Sequence, residues 1–225
     1  MSWMEILKKT DAVLFDLDGT VVDSMWIWKQ IDIDYFKKCD LVMPDTYQKE
    51  IEGLSFYETA KYTHDHYIPF VSIEELMANW NEMAYEHYAS KVKAKECIQQ
   101  FLEYLKNNNY RIGIATSNSS TLCHLTLRAN DLIEYFDIIL TGEGQTAGKP
   151  APDVYLECAK RLGVSPARCL VFEDLSNGIR AGNAAGMTTV AIYDDYSEYQ
   201  WDKKKSLADH SIMSYREIID EISES

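Results

Sequence analysis

Five short apolar runs, each ending at a polar residue or a glycine-containing turn, constrain this chain more than any other feature. Ala12-Val-Leu-Phe15 ends at Asp16, and Arg111-Ile-Gly-Ile-Ala115 at Thr116. Phe136-Asp-Ile-Ile-Leu140 ends at Thr141-Gly142, Cys169-Leu-Val-Phe172 at Glu173-Asp174, and Thr189-Val-Ala-Ile192 close to Asp194 and Asp195. Runs this short, apolar on both faces and separated by helical stretches, are what a buried parallel sheet requires. The helical period is visible between them: Ile98, Phe101, Leu102 and Leu105 follow the i, i+3, i+4, i+7 rule. Pro152-Asp153 opens another helix, with Val154, Tyr155, Cys158, Ala159 and Leu162 on one side. Gly178, Ala181, Gly182, Ala184 and Ala185 are small enough to let a third lie close on the sheet. This alternation predicts an α/β fold, a doubly wound parallel sheet of Rossmann-like type.

Residues 21–92 break the alternation. The stretch offers no convincing strand, and it holds 13 of the chain's 27 aromatic residues, among them Trp26, Trp28, Tyr35, Phe36, Phe56 and Trp80. Aromatics at that density suit the core of a small helical bundle. The expected organisation is an α/β core of residues 1–20 and 93–225, with an α-helical cap inserted as residues 21–92.

Charge and composition narrow the function. Lys and Arg number 22 against 36 Asp and Glu, giving −14 at neutral pH, which disfavours nucleic acid and anionic membrane as partners. No apolar run reaches the roughly 20 residues of a transmembrane helix. The opening Met1-Ser-Trp-Met-Glu-Ile-Leu-Lys-Lys has no secretory apolar region, so the cytoplasm is expected. The five cysteines form no Cys-x-x-Cys pair and read as reduced thiols. His64 and His66 lack a matching ligand cluster and read as a solvated helix face, as does Lys203-Lys204-Lys205.

In an open α/β sheet the crevice at the carboxyl ends of the strands is where ligands bind. Across those ends the chain places Asp16 and Asp18, then Thr116, then Lys149 in a loop, then Glu173 and Asp174. Four carboxylates in one crevice need protons or a cation to offset them, and an all-oxygen set suits a hard divalent ion such as Mg2+. Asp16 and Asp18 share a direction along the strand, and Gly19 lets backbone N–H groups approach an anion. Thr116 and the following Ser117-Asn118-Ser119-Ser120 supply a hydroxyl and a helix N-terminus, both suited to phosphate oxygens.

In this order and placement the residues closely resemble the motifs of the haloacid dehalogenase-like hydrolases. Asp16-Leu-Asp-Gly-Thr20 resembles the family's first motif, Thr116 its second, Lys149 its third and Glu173-Asp174 its fourth. Gly148-Lys-Pro-Ala-Pro-Asp153 and Val171-Phe-Glu-Asp174, with Gly178 and Ala184-Ala-Gly-Met187 downstream, resemble its beta-phosphoglucomutase-like branch, which carries a helical cap after the first motif. The resemblance implies that Asp16 attacks phosphorus and forms an aspartyl-phosphate. It implies that Asp18 protonates the leaving oxygen and later activates water. Mg2+ would be held by Asp16, the Asp18 backbone carbonyl and Asp174, with Glu173 supporting it directly or through water. Thr116, Ser117 and Lys149 would bind the phosphoryl oxygens.

The expected function is therefore a Mg2+-dependent phosphatase acting on a small phosphorylated metabolite, either a sugar phosphate or a nucleoside-like monophosphate. A phosphomutase is the alternative. Relatives resembling beta-phosphoglucomutase carry an Arg after Gly-x-Ser in the cap and a His ten residues past the acid/base Asp. This chain has Phe56 after Gly53-Leu-Ser55, and Trp28 at the second position. Asp18 and Glu173-Asp174 speak against a dehalogenase, and the helical insertion speaks against a phospho-acceptor signalling domain. A non-catalytic binding domain would be expected to lack a motif residue, and none is missing. Trp28, Leu54, Ser55 and Phe56 are the candidates for choosing the leaving group, and a monomer or weak homodimer is expected.

Overall fold

The computed structural model describes residues 2–142 and 147–224. Six strands form one sheet: β1 (Ala12–Phe15), β4 (Arg111–Ala115), β5 (Ile138–Leu140), β6 (Cys169–Glu173), β7 (Thr188–Ile192) and β8 (His210–Ile212). Two further strands, β2 (Val22–Asp23) and β3 (Lys93–Ala94), pair separately. The sheet runs β5-β4-β1-β6-β7-β8, and each neighbouring pair is parallel. β1 sits near the centre, in register with Arg111–Ile114 on one side and Cys169–Phe172 on the other. The sheet switches direction of winding there, so side chains leaving the end of β1 enter the crevice.

All four residues of β1 are buried because each sheet face is covered. Val13 and Phe15 join the cluster containing Phe101, Leu122, Phe172, Tyr215 and Ile218, while Ala12 and Leu14 join Tyr155, Cys158, Val171 and Ala181 on the other face. Phe15 stacks on Phe172 with centroids 5.2 Å apart. The helices Ile98–Asn107 and Asp153–Leu162 lie where the apolar period placed them. Helix Ser176–Ala184 does approach the sheet closely, since a methyl on Gly182 would press against Thr189 and Val171. Ala184, however, faces solvent.

Between Asp18 and β3 the chain forms helices Met25–Lys38, Tyr47–Glu50, Phe56–His66 and Ile73–Ser90. Their interior is aromatic: Tyr35 packs on Trp80, Phe36 on Tyr47, and Phe56 on Trp80. The chain enters and leaves this region through an antiparallel ribbon in which Val22 pairs with Ala94 and Asp23 with Lys93.

The structure corrects three further sequence expectations. β8 is a sixth strand that the apolar-run pattern did not reveal, its outer position tolerating His210 and Ser211. β2 lies in the stretch expected to hold no strand. Lys203 and Lys205 are on the wet side of helix Trp201–Leu207, but Lys204 is fully buried. Its ammonium donates to the Asp174 carbonyl at 2.8 Å and to Ser197 Oγ at 2.8 Å.

Candidate active site

The crevice is built from strand ends. The backbone N–H of Asp16 donates to the Phe172 carbonyl of β6, and that of Thr116 to the Leu140 carbonyl of β5, so both side chains emerge at fixed points on the sheet rim. β6 ends in Glu173, with Asp174 directly after it. Lys149 comes from the loop before helix Asp153–Leu162 and is almost wholly buried. Its Nζ donates to Asp16 Oδ1 at 2.6 Å, Glu173 Oε1 at 2.6 Å and the Ala115 carbonyl at 2.9 Å. Tyr155 donates its hydroxyl to the same Glu173 oxygen, and Gly178 leaves no room for a side chain over that carboxylate.

Asp18 has a separate set of partners. Oδ1 accepts from Ser24 Oγ and Tyr88 Oη, both at 2.5 Å, and Oδ2 accepts from Asn118 Nδ2 at 2.8 Å. Ser24 and Tyr88 come from the helical insertion and Asn118 from the core. Asp16 and Asp18 therefore sit two residues apart in different surroundings, one against an ammonium and one among neutral donors.

Burial is the main influence on these carboxyls. It pushes Asp16 up to about 8, against the pull of Lys149 and with the push of Glu173 and Asp18. It also raises Asp18, although the donors Ser24, Tyr88 and Asn118 oppose the shift, and Trp28 faces the same carboxylate. Asp174 is driven well above the ordinary range by burial and then by the charges of Asp16 and Glu173. Burial works against the Lys149 ammonium, yet Asp16 and Glu173 beside it hold its pKa above the usual lysine range.

The donor set fits a hard divalent cation. One carboxylate oxygen from each of Asp16, Glu173 and Asp174 lies within 4.8 Å of the others. Asp174 Oδ2 is buried with no hydrogen-bond partner among the described residues, an expensive arrangement for an acceptor that no cation meets. Gly19, at φ 77°, makes this approach possible, since a side chain there would collide with Asp174.

Thr116 Oγ1 accepts from the Asn118 N–H at 3.0 Å, so its own proton stays available for a donor role. The Ser117 carbonyl accepts from the Phe56 N–H at 3.0 Å, tying the insertion to the loop after β4. Glu58 Oε2 accepts from Ser55 N at 2.9 Å and Gly148 N at 3.0 Å, tying it also to the Lys149 loop. Ser55 Oγ caps helix Phe56–His66 by accepting from Glu58 N. Phe56 is buried against Trp28, with centroids 6.2 Å apart, and Trp28 meets Tyr88 at 5.8 Å. Leu54 is half-buried.

The structure thus brings Asp16, Lys149, Glu173 and Asp174 together and sets Asp18 beside Trp28. The sequence pattern does not reveal Ser24, Tyr88, Tyr155 and Lys204 as site residues, and it offers Asn118 only as part of a helix N-terminus, not as a partner of Asp18. Asn118 had a usable signal, lying two residues past Thr116. Tyr88 had none, since 70 residues separate it from the carboxylate it meets.

A model of the haloacid dehalogenase-like hydrolases matches residues 13–192, a span that runs from within β1 to the end of β7 and contains Asp16, Asp18, Thr116, Lys149, Glu173 and Asp174. The chain belongs to the haloacid dehalogenase-like hydrolases. It is 28% identical over 202 residues to the "Probable pseudouridine-5'-phosphatase" of Drosophila melanogaster, covering 84% of each chain. It is also 28% identical over 186 residues to a phosphorylated carbohydrates phosphatase of Thermotoga maritima, covering 80% of this chain and 83% of that one. Among solved structures, beta-phosphoglucomutase from Clostridium difficile superposes with a TM-score of 0.76 at 23% identity, covering 96% and 98% of the two chains. That likeness shows a shared fold. Within the family this hydrolase is a phosphoric monoester hydrolase. No helix among the described residues is long and apolar enough to cross a membrane.

Proposed function

We propose that the protein is a Mg2+-dependent phosphatase of a small sugar phosphate or nucleoside-like monophosphate, acting through an aspartyl-phosphate. The observation that carries this reading is the division of labour between two carboxylates. Asp16 is held by Lys149 among the acidic groups, whereas Asp18 is held by Ser24 and Tyr88 from the insertion and by Asn118 from the loop after β4. In the proposed reaction an Asp16 oxygen attacks phosphorus in line, the bond to the leaving oxygen breaks, and Asp18 gives that oxygen its proton. Asp18 then takes a proton from water, whose oxygen attacks the phosphorus of the aspartyl-phosphate and frees Asp16. Thr116, Ser117 and Lys149 hold the phosphoryl oxygens, where charge accumulates in the transition state. Asp16, the Asp18 carbonyl and Asp174 would hold Mg2+, with Glu173 in support, and the ion would supply neutralisation of phosphoryl charge.

Hydrolysis is favoured over phosphate transfer to a second sugar phosphate, because that reaction needs a cation for the distal phosphate. The positions in question carry Phe56 and Trp28, packed on one another. Lys61 is exposed and paired with Asp65, and Lys91 is exposed. We place the division between core and cap at residues 20/21 and 92/93, beside the β2–β3 ribbon. The five unpaired thiols, three of them buried, suit a reducing cytoplasm. The test is to supply beta-glucose 1-phosphate with Mg2+ and catalytic glucose 1,6-bisphosphate, then measure free phosphate and glucose 6-phosphate. Free phosphate is expected, and predominant glucose 6-phosphate would overturn the reading.

A further inference from the structure

Helix Met25–Lys38 acts as a ruler leading away from the reaction centre. Its start is pinned by Ser24, which donates to Asp18 at 2.5 Å. Trp28 lies one turn on, about 6 Å along the axis, and Asp32 one turn further, about 12 Å from Ser24. Trp28 and Asp32 occupy the same helix face. Asp32 is 5% exposed, and among the described residues it accepts one hydrogen bond, from Gln48 Nε2 to Oδ2 at 2.6 Å. A carboxylate can accept several, so acceptor capacity remains. Gln48 Oε1 accepts in turn from Tyr196 Oη at 3.4 Å, and Tyr196 belongs to the core segment after β7. The neighbouring Tyr47 hydroxyl is engaged with Thr63. Asp32 and Gln48 therefore sit on the seam between insertion and core, two helical turns from Ser24, the residue that touches Asp18.

We infer that Asp32 and Gln48, positioned by Tyr196, are the distal specificity site of this phosphatase and recognise the N–H/C=O edge of a base in a nucleoside monophosphate. The inference rests on the phosphatase reading above and separates the two substrate classes that reading leaves together. A phosphorylated single sugar ring extends about as far as the first turn, where Trp28 lies; a sugar bearing a heterocycle reaches the second. Asp32 accepts from a ring N–H while Gln48 Nε2 turns from Asp32 to an adjacent carbonyl, so the pair satisfies each other when no substrate is bound and the base when one is. Trp28, backed by Phe56 and Tyr88, gives the nucleoside a flat apolar wall. A second phosphate at this distance would face a carboxylate, and a hexose would leave the pair unused.

The test compares uridine 5'-monophosphate, glucose 6-phosphate and p-nitrophenyl phosphate, whose leaving group is too short to reach the second turn. Wild-type enzyme is expected to prefer the nucleotide to the hexose phosphate in kcat/KM. In Asp32→Asn and Gln48→Leu, the nucleotide-to-p-nitrophenyl phosphate ratio of kcat/KM is expected to fall about tenfold or more, chiefly through KM, as for loss of a hydrogen bond to a charged group. Asp32→Asn keeps the side-chain shape and, with all assays run at pH 8, removes a buried charge, so it is the variant that tests the site without threatening the fold. An unchanged ratio in both variants, or a wild-type preference for glucose 6-phosphate, would overturn this inference and leave the phosphatase reading standing. Absence of turnover of all three compounds with Mg2+ would remove both.

Discussion

Lys149 Nζ lies 2.6 Å from Asp16 Oδ1 and 2.6 Å from Glu173 Oε1, bridging the end of β1 to the end of β6 with one buried ammonium. Its removal leaves two buried carboxylates facing each other without their cation. Breaking such a pair costs about 3–5 kcal/mol, so Lys149→Met is expected to lose that much in urea denaturation measured in chelator. A loss below about 1 kcal/mol, the range of exposed pairs, would show that the bridge is dispensable.

Asp16→Asn is expected to abolish both turnover of p-nitrophenyl phosphate and acid-stable labelling by phosphate, since an amide is not a comparable nucleophile. Asp18→Asn should lower turnover by about 10²–10⁴-fold while still allowing an activated leaving group to phosphorylate Asp16. Rapid-quench labelling separates the two. Labelling of Asp16→Asn at the wild-type level would exclude Asp16 as the acceptor.

The orphaned Asp174 oxygen leads to a prediction about the metal that does not depend on turnover. Mg2+ at about 100 times its dissociation constant should stabilise the folded protein by about 2.7 kcal/mol. Thermal unfolding with Mg2+ and with chelator measures the shift, which Asp174→Asn should suppress. Identical midpoints with and without Mg2+ in the wild type would argue against a metal at this cluster.

Asp32 should make stability depend on pH in a defined window. Burial, opposed only by the bond from Gln48, raises its carboxyl from 3.8 to about 7. Between those values the unfolded chain has lost the proton that the folded chain keeps, so stability falls as pH rises through the window and is level above it. Each pH unit is worth about 1.4 kcal/mol, giving about 4 kcal/mol across the whole window as an upper figure. Asp32→Asn does not titrate, so its stability advantage over wild type should grow between pH 5 and pH 8 in urea denaturation. An advantage that shrinks over that range would contradict the shift.

How far the sequence could be read depended on whether a feature was local. The run Ala12–Phe15 is a strand end to end because four adjacent apolar residues need cover on both faces, and β1 receives it. Asp16, Lys149, Glu173 and Asp174 are legible as one group because they stand at or beside strand ends, which converge in a parallel sheet. β8 escaped notice because an outer strand can be short and polar, as His210 and Ser211 are. Lys204 was assigned to the solvated side of its helix, since three consecutive lysines carry no sign of which one turns inward. Its interior position is set by the Asp174 carbonyl and Ser197, contacts that only the folded chain brings together.

The partners of Asp18 come from two bodies of the molecule. Ser24 and Tyr88 arrive with the insertion, while Asn118 belongs to the sheet rim. Any excursion that carried Tyr88 away from the rim would strip a donor from the carboxylate assigned to handle the proton. On the proposed mechanism, the readiness of that group would be set jointly by the crevice and by the contact of the insertion with it. The acid and base chemistry of Asp18 would, on that mechanism, be complete only while the insertion and the sheet rim are in contact.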